Sequence, residues 1–173
     1  MLFKIIGGAL VILASSFLGY FFSRDCASRP NQLRDLQGLL QMFENEISFL
    51  SNLLVDAFRK IYRSSRSDVA LFFKDTINNL TLDSGLGASN AWTKAIKENI
   101  KKTALNKEDE EILISFGELL GNSDLEGQIK NIKLTLNQLK LQEQKAEENK
   151  KKNEAMYRTL GVLGGLAVVI VLF

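Results

Sequence analysis

Both ends of the chain are apolar and the middle is not, and that distribution limits the fold more than any motif does. Leu2–Phe22 is an almost unbroken apolar run, interrupted by Lys4 and softened by Ser15, Ser16 and Tyr20. A second run, Leu160–Phe173, reaches the last residue. A helix rises about 1.5 Å per residue, so about 20 apolar residues cross a hydrocarbon core about 30 Å thick. The first run meets that length and predicts a transmembrane helix over 1–22. The second alone covers about 21 Å. Met156, Tyr157 and Thr159, with Arg158 snorkelling to the interface, lengthen the apolar stretch to about 18 residues, so the transmembrane helix assigned to 158–173 only just spans. A re-entrant or interfacial segment is the alternative there. For the first run the alternative is a cleaved signal peptide, with Lys4 as its basic start and Ala14-Ser15-Ser16 as cleavage site. The product would then be a secreted or surface helical binding protein. Continuation of the run through Phe22, with Arg24, Arg29 and Arg34 just behind it, weighs against cleavage.

Flanking charge sets the orientation. Arg24, Arg29 and Arg34 follow the first run, and Lys145, Lys150, Lys151, Lys152 and Arg158 lead into the second. By the positive-inside rule the middle is cytoplasmic. Small residues four apart, Ser15 with Gly19 and Gly161 with Gly165, are candidates for close packing of membrane helices.

All 20 acidic residues, and all of the 22 basic ones except Lys4 and Arg158, lie in 23–157. That segment is formally neutral and long enough for one modest domain. It lacks the basic footprint of a nucleic-acid binder. The chain has no histidine and one cysteine, Cys26. Ser/His and Cys/His nucleophile pairs, a thiolate metal cage and an intrachain disulfide are excluded together. No cofactor and no enzymatic activity are expected.

The middle has helical periodicity. Leu33, Leu36, Leu40, Phe43, Ile47, Leu50 and Leu54 recur in steps of three and four behind Pro30. A second helix is predicted over 68–82, with Ser67 as N-cap and Val69, Phe72, Phe73, Ile77 and Leu80 inward. A third covers 90–103, with Trp92, Ala95, Ile96 and Ile100. A fourth starts at Asn106, carries Glu108–Glu111 toward the positive end of its dipole, and stops at Gly121. Its inward face is Ile112, Leu113, Phe116, Leu119 and Leu120. Ser123 and Glu126 have capping-box spacing before a fifth helix with Leu125, Ile129, Ile132, Leu136 and Leu139 inward. From Gln142 to Glu154 that helix is polar on every face and reads as a solvated stalk. The expected fold is all-α: a cytoplasmic helical bundle, 23–141, and a stalk, 142–157, between two transmembrane helices. The two long seams either pack together within one domain or support a homo-oligomer.

Several stretches resemble the stage III sporulation protein AB family. Arg29-Pro30, Leu33-Arg34, Leu36 and Glu44-x-Glu46-Ile47 resemble the start of its soluble domain, and Ala57-Phe58 and Ala91-Trp92 fit further along. The most specific stretch is Phe116-Gly117-Glu118-Leu119-Leu120-Gly121-Asn122-Ser123-Asp124, followed by Gly127-Gln128 and Ile132. The tail Leu160–Leu166 is similar to the family's terminal membrane helix. One departure is Phe49–Leu54, where the family often has a glycine and a Thr-Pro-Leu that break the helix; here neither Gly nor Pro occurs.

The resemblance implies a non-enzymatic platform in the transenvelope complex between mother cell and forespore of endospore-forming bacteria. It implies a soluble domain similar to the cytoplasmic domains of type II secretion platform proteins. The implied partners are a cytoplasmic secretion-type ATPase, stage III sporulation protein AA, and polytopic membrane proteins, with membrane lipid and no nucleic acid. The implied location is the mother-cell membrane around the forespore. Candidate partner-binding residues are Arg29, Arg34, Glu44, Glu46, Asp124 and Gln128. Each has a plainer reading: a solvated helix face for Glu44 and Glu46, lipid headgroups for Arg29 and Arg34, and capping of a turn for Asp124 and Gln128. Gly117 and Gly121 are expected at a close helix contact and a C-cap, and Trp92 in the core.

Overall fold

A computed structural model describes residues 28–50, 54–83, 85–121 and 123–172, with few side chains beyond 153. Regular structure among the described residues is entirely helical, as expected. Six α-helices follow in order: α1 (Ser28–Leu50), α2 (Leu54–Ser64), α3 (Leu71–Leu82), α4 (Ala88–Asn99), α5 (Lys107–Glu118) and α6 (Leu125–Leu172). Short 3₁₀ turns, Asp68–Ala70 and Ile100–Lys102, precede α3 and follow α4. Residues Arg29–Gln144 form one compact unit. Among the described residues no helix is long and apolar enough to cross a membrane. The predicted span 1–22 lies outside the described residues, and so do nearly all side chains of 158–173.

Helix α1 buries the expected seam: Leu33, Leu36, Leu40, Phe43 and Ile47. Leu54, the last position of the predicted seam, opens α2, and residues 51–53 lie outside the described residues. Helix α2 is a separate element that the sequence reading did not resolve, and it buries Ala57, Phe58 and Ile61.

The core is a cluster of aromatic rings, one from each of the first five helices. Phe58 lies 5.0 Å from Phe43 and 5.0 Å from Phe73, between ring centroids. Trp92 lies 5.3 Å from both Phe73 and Phe116 and 5.7 Å from Phe58. Most pairs meet edge to face, the arrangement the ring quadrupole favours. The indole is fully buried, and its Nε1–H donates to the Leu113 carbonyl at 2.7 Å, so burial strands no polar atom. Gly117 makes room for it. A Cβ there would sit 2.4 Å from Trp92 Cδ1.

Several expectations shift in detail. Ser67 makes no side-chain cap; its carbonyl accepts the Ala70 N–H and starts the 3₁₀ turn. In α3, Thr76 and Asn79 are buried while Ile77 and Leu80 are half-buried. The Thr76 hydroxyl donates to the Phe72 carbonyl, and the Asn79 amide donates to the Ala91 carbonyl. In α5, Leu113, Phe116 and Leu120 face inward, but Leu119 is exposed. The helix ends at Glu118, and the Leu120 N–H bonds back to Gly117, so Leu119 sits in the turn and leaves the buried face. Gly121 has φ of 77°, the left-handed conformation expected at a helix C-terminus.

The inward stripe of α6 is more polar than predicted. Ile132 and Leu139 are buried, together with Asn131, Thr135 and Gln142. Ile129 and Leu136 are half-buried, and Leu125 is exposed. Asn131 donates to the Phe116 carbonyl at 2.9 Å and so ties α6 to the aromatic core.

Two substitutions test this packing. Gly117→Ala drives a methyl into the indole and is expected to destabilise the fold by about 1–3 kcal/mol. Gly38→Ala, inside α1 with nothing within 4 Å of the added carbon, is expected to stabilise by about 0.5–1 kcal/mol. Chemical denaturation of the full chain, followed by fluorescence of its single tryptophan, measures both.

Candidate functional site

Helices α1 and α6 are held together by a ladder of polar contacts that begins at the first turn of α1. The Arg29 guanidinium grips Asp109 with both prongs: Nε donates to Oδ2 at 2.8 Å and Nη2 to Oδ1 at 2.9 Å. Nη2 also donates to Gln142 Oε1 at 3.0 Å. The amide of Gln142 in turn donates to Glu108 Oε2 at 2.9 Å. The Asp109 side chain is fully buried and that of Arg29 is 18% exposed.

Local sequence explains how the carboxylate is positioned. Asn106 caps α5 by accepting the Asp109 N–H, and Asp109 Oδ2 accepts the Asn106 N–H at 2.9 Å, closing a capping box. The cap fixes the backbone of the first turn and aims the carboxylate at α1. One acidic side chain thus closes a helix end and receives a charge from another helix. A buried pair gains little net stability over apolar packing, but removing one partner leaves an uncompensated charge in a dry site.

The ladder continues along α1. Glu143 Oε1 accepts from Arg34 Nε at 2.9 Å, and its Oε2 accepts from Gln37 Nε2 at 2.8 Å. Farther along, Lys133 Nζ lies 3.6 Å from Glu44 Oε1. From Arg34 and Gln37 against Glu143 to Glu44 against Lys133, partner numbers on α6 fall as those on α1 rise, so the two helices run antiparallel. A shallow groove of about 480 Å³ lies between them, lined by Gln37, Gln41, Glu44, Lys133, Leu136, Asn137 and Lys140.

The six predicted binding residues do not converge on one place. Arg29 and Arg34 belong to the ladder's first rungs, and Glu44 to its far end. Glu46 turns the other way and accepts from Lys60 of α2 at 2.7 Å. Asp124 caps α6, its Oδ1 accepting the Gly127 N–H at 2.9 Å. Gln128 reaches back to the Ser123 carbonyl at 3.4 Å. Asp124 therefore fills the N-cap place expected of Ser123, whose hydroxyl donates to the Leu119 carbonyl instead. Asp124 and Gln142 are separated by about 27 Å of helix, so these residues form no single site. Ser15 and Gly19 lie outside the described residues. Gly161 and Gly165 fall in the helical C-terminal part of α6, with surroundings outside the described residues.

Sequence reasoning missed Asp109, Gln142, Glu143 and Gln37. By composition alone Asp109 groups with Glu108, Glu110 and Glu111 as helix-dipole charge. The three-residue spacing from Asn106 is the signal that singles it out. Gln142 and Glu143 read as part of the solvated stalk, yet both bond into the bundle. Among the described residues no group of His, Cys, Asp or Glu is arranged to hold a metal ion.

Fold and ladder together define the class: an all-α domain whose polar side chains fasten its first helix to its last. The chain belongs to the stage III sporulation protein AB family, whose sequence model matches residues 4–173. It is 32% identical over 169 residues to stage III sporulation protein AB of Bacillus subtilis (strain 168), covering 98% of each chain. A solved structure of stage III sporulation protein AB is similar, with a TM-score of 0.67 and 32% sequence identity, covering 72% of this chain and 97% of that one. Family membership gives the chain a role in sporulation.

The ladder predicts an ordering of mutational costs. Arg29→Ala strands the buried Asp109 carboxylate and is expected to cost about 3–5 kcal/mol. Arg34→Ala removes a pair whose arginine is 58% exposed, so solvent screening limits its cost to about 1 kcal/mol at most. Denaturation midpoints of the two variants, compared under one set of conditions, measure the difference.

Proposed function

We propose that this chain is a non-enzymatic platform protein of the mother cell–forespore transenvelope complex. Its two apolar ends anchor it in the mother-cell membrane around the forespore, and its helical domain lies on the cytoplasmic side. The domain links a secretion-type ATPase, stage III sporulation protein AA, to polytopic membrane proteins of the same complex. Family membership supports the sporulation setting. The observation that carries the platform reading is the ladder. Arg29 stands at the start of the compact unit and Gln142 near its end, and both bond to one another and to α5. A load on either terminal segment therefore reaches the same buried cluster, as a connecting part requires.

Photo-crosslinking residues at Asn45 and Gln138, both exposed, test this in sporulating cells. The expected result is crosslinks to the ATPase or to polytopic membrane proteins, and a developmental block when the chain is deleted. Normal spores from the deletion strain would contradict the proposal, and so would a mature protein beginning near Phe17.

A further inference from the structure

The arginines first expected to meet lipid are occupied by acids of the protein's own fold: Arg29 by Asp109 and Arg34 by Glu143. Another group of cations is not. Lys97, Lys101 and Lys107 rim a groove of about 550 Å³ between the end of α4 and the start of α5, with Glu110 its one acid. None of these three lysines makes an ion pair among the described residues. Ile100 and Leu105 form the groove's apolar floor, and Thr103 and Asn106 add polar edges.

The groove lies at the end of the bundle where the chain enters it. The Ala104 N–H donates to Gln32 Oε1 at 2.6 Å, and Asn106 shares its capping box with the aspartate that Arg29 grips. In sequence, Arg29 follows the apolar run by about seven residues, which reach at most about 25 Å when extended. About 14 residues separate Gln144 from Arg158, or about 21 Å as helix.

We propose that this groove is the domain's contact with the membrane surface, its three lysines binding phosphates of anionic phospholipids. The inference rests on the membrane-anchored reading above. Three cations against one carboxylate match the charge of an anionic leaflet, whose potential falls off over roughly a Debye length of about 8 Å. Tethers of that length leave the groove within reach of that surface. A neutral bilayer offers no such attraction, so contact depends on lipid charge.

The test uses the full chain with Cys26→Ser and a single bimane label at Ala104→Cys, an exposed position beside the groove. The labelled chain is reconstituted with phosphatidylcholine vesicles or with vesicles containing about 30% phosphatidylglycerol, each carrying a headgroup quencher. Flotation on the neutral vesicles reports anchoring by the apolar ends. Quenching reports the groove. Quenching is expected to rise about threefold on the anionic vesicles. It is expected to return to the neutral level in Lys97→Glu/Lys101→Glu/Lys107→Glu, with the denaturation midpoint of that variant showing that it folds. A chain that floats on both vesicles with equal quenching overturns the groove proposal alone. Anionic quenching that survives the triple substitution also overturns it. A chain that floats on neither overturns the anchored reading with it.

Discussion

Asp109 is a carboxylate without access to water, and its counter-charge comes from the opposite end of the domain's sequence. That requirement organises the bundle. The carboxylate must be aimed, so α5 starts with a cap in which Asn106 and Asp109 hold each other's backbone. The charge must be met by a fork, so Arg29 lies in the first turn of α1 with both prongs engaged. The second N–H of Nη2 in that fork is met by Gln142 of α6. The first helix is brought to one point with α5 and α6 by the need to leave no charge unpaired.

Beyond that point the aromatic core makes the bundle stiff. Five rings from five helices meet around Trp92 and Phe58, and Gly117 lets α5 approach close enough for contact. Among the described residues helix α6 adds no ring to this cluster. Besides burying Ile132 and Leu139, it joins through Asn131 to the Phe116 carbonyl and through the ladder. Its attachment is therefore more directional than that of α1–α5, because hydrogen bonds hold a register where apolar packing alone allows sliding. In a connecting part, register between the first and last helices determines whether displacement at one terminal segment reaches the other.

The parts of this architecture legible in the sequence are those that depend on periodicity and local chemistry. The α1 seam from Leu33 to Ile47, the Asn106 cap, the Gly121 stop and the buried Trp92 follow from spacing within a few residues. So does the family resemblance around Phe116–Asp124. The parts that were not legible depend on pairing across the fold. Arg29 and Asp109 are 80 residues apart, and nothing local marks either as buried. Gln142 reads as solvated because polar residues usually are; only a guanidinium and Glu108 at hand make its burial affordable. The stripe of α6 is only partly legible for the same reason: Ile132 and Leu139 lie inward as their spacing predicts, but Asn131 and Thr135 occupy inward positions that a hydrophobicity count assigns outward.

Hydrogen exchange on the full chain carrying Asp109→Asn tests most directly whether this buried pair couples the two ends of the domain. The substitution keeps the shape and removes the charge that Arg29 needs. Protection in residues 30–37 and 139–144 is predicted to fall together and by similar factors, while amides of α4 around Trp92 stay protected. Loss confined to the first turn of α5, with both end segments unchanged, would contradict it.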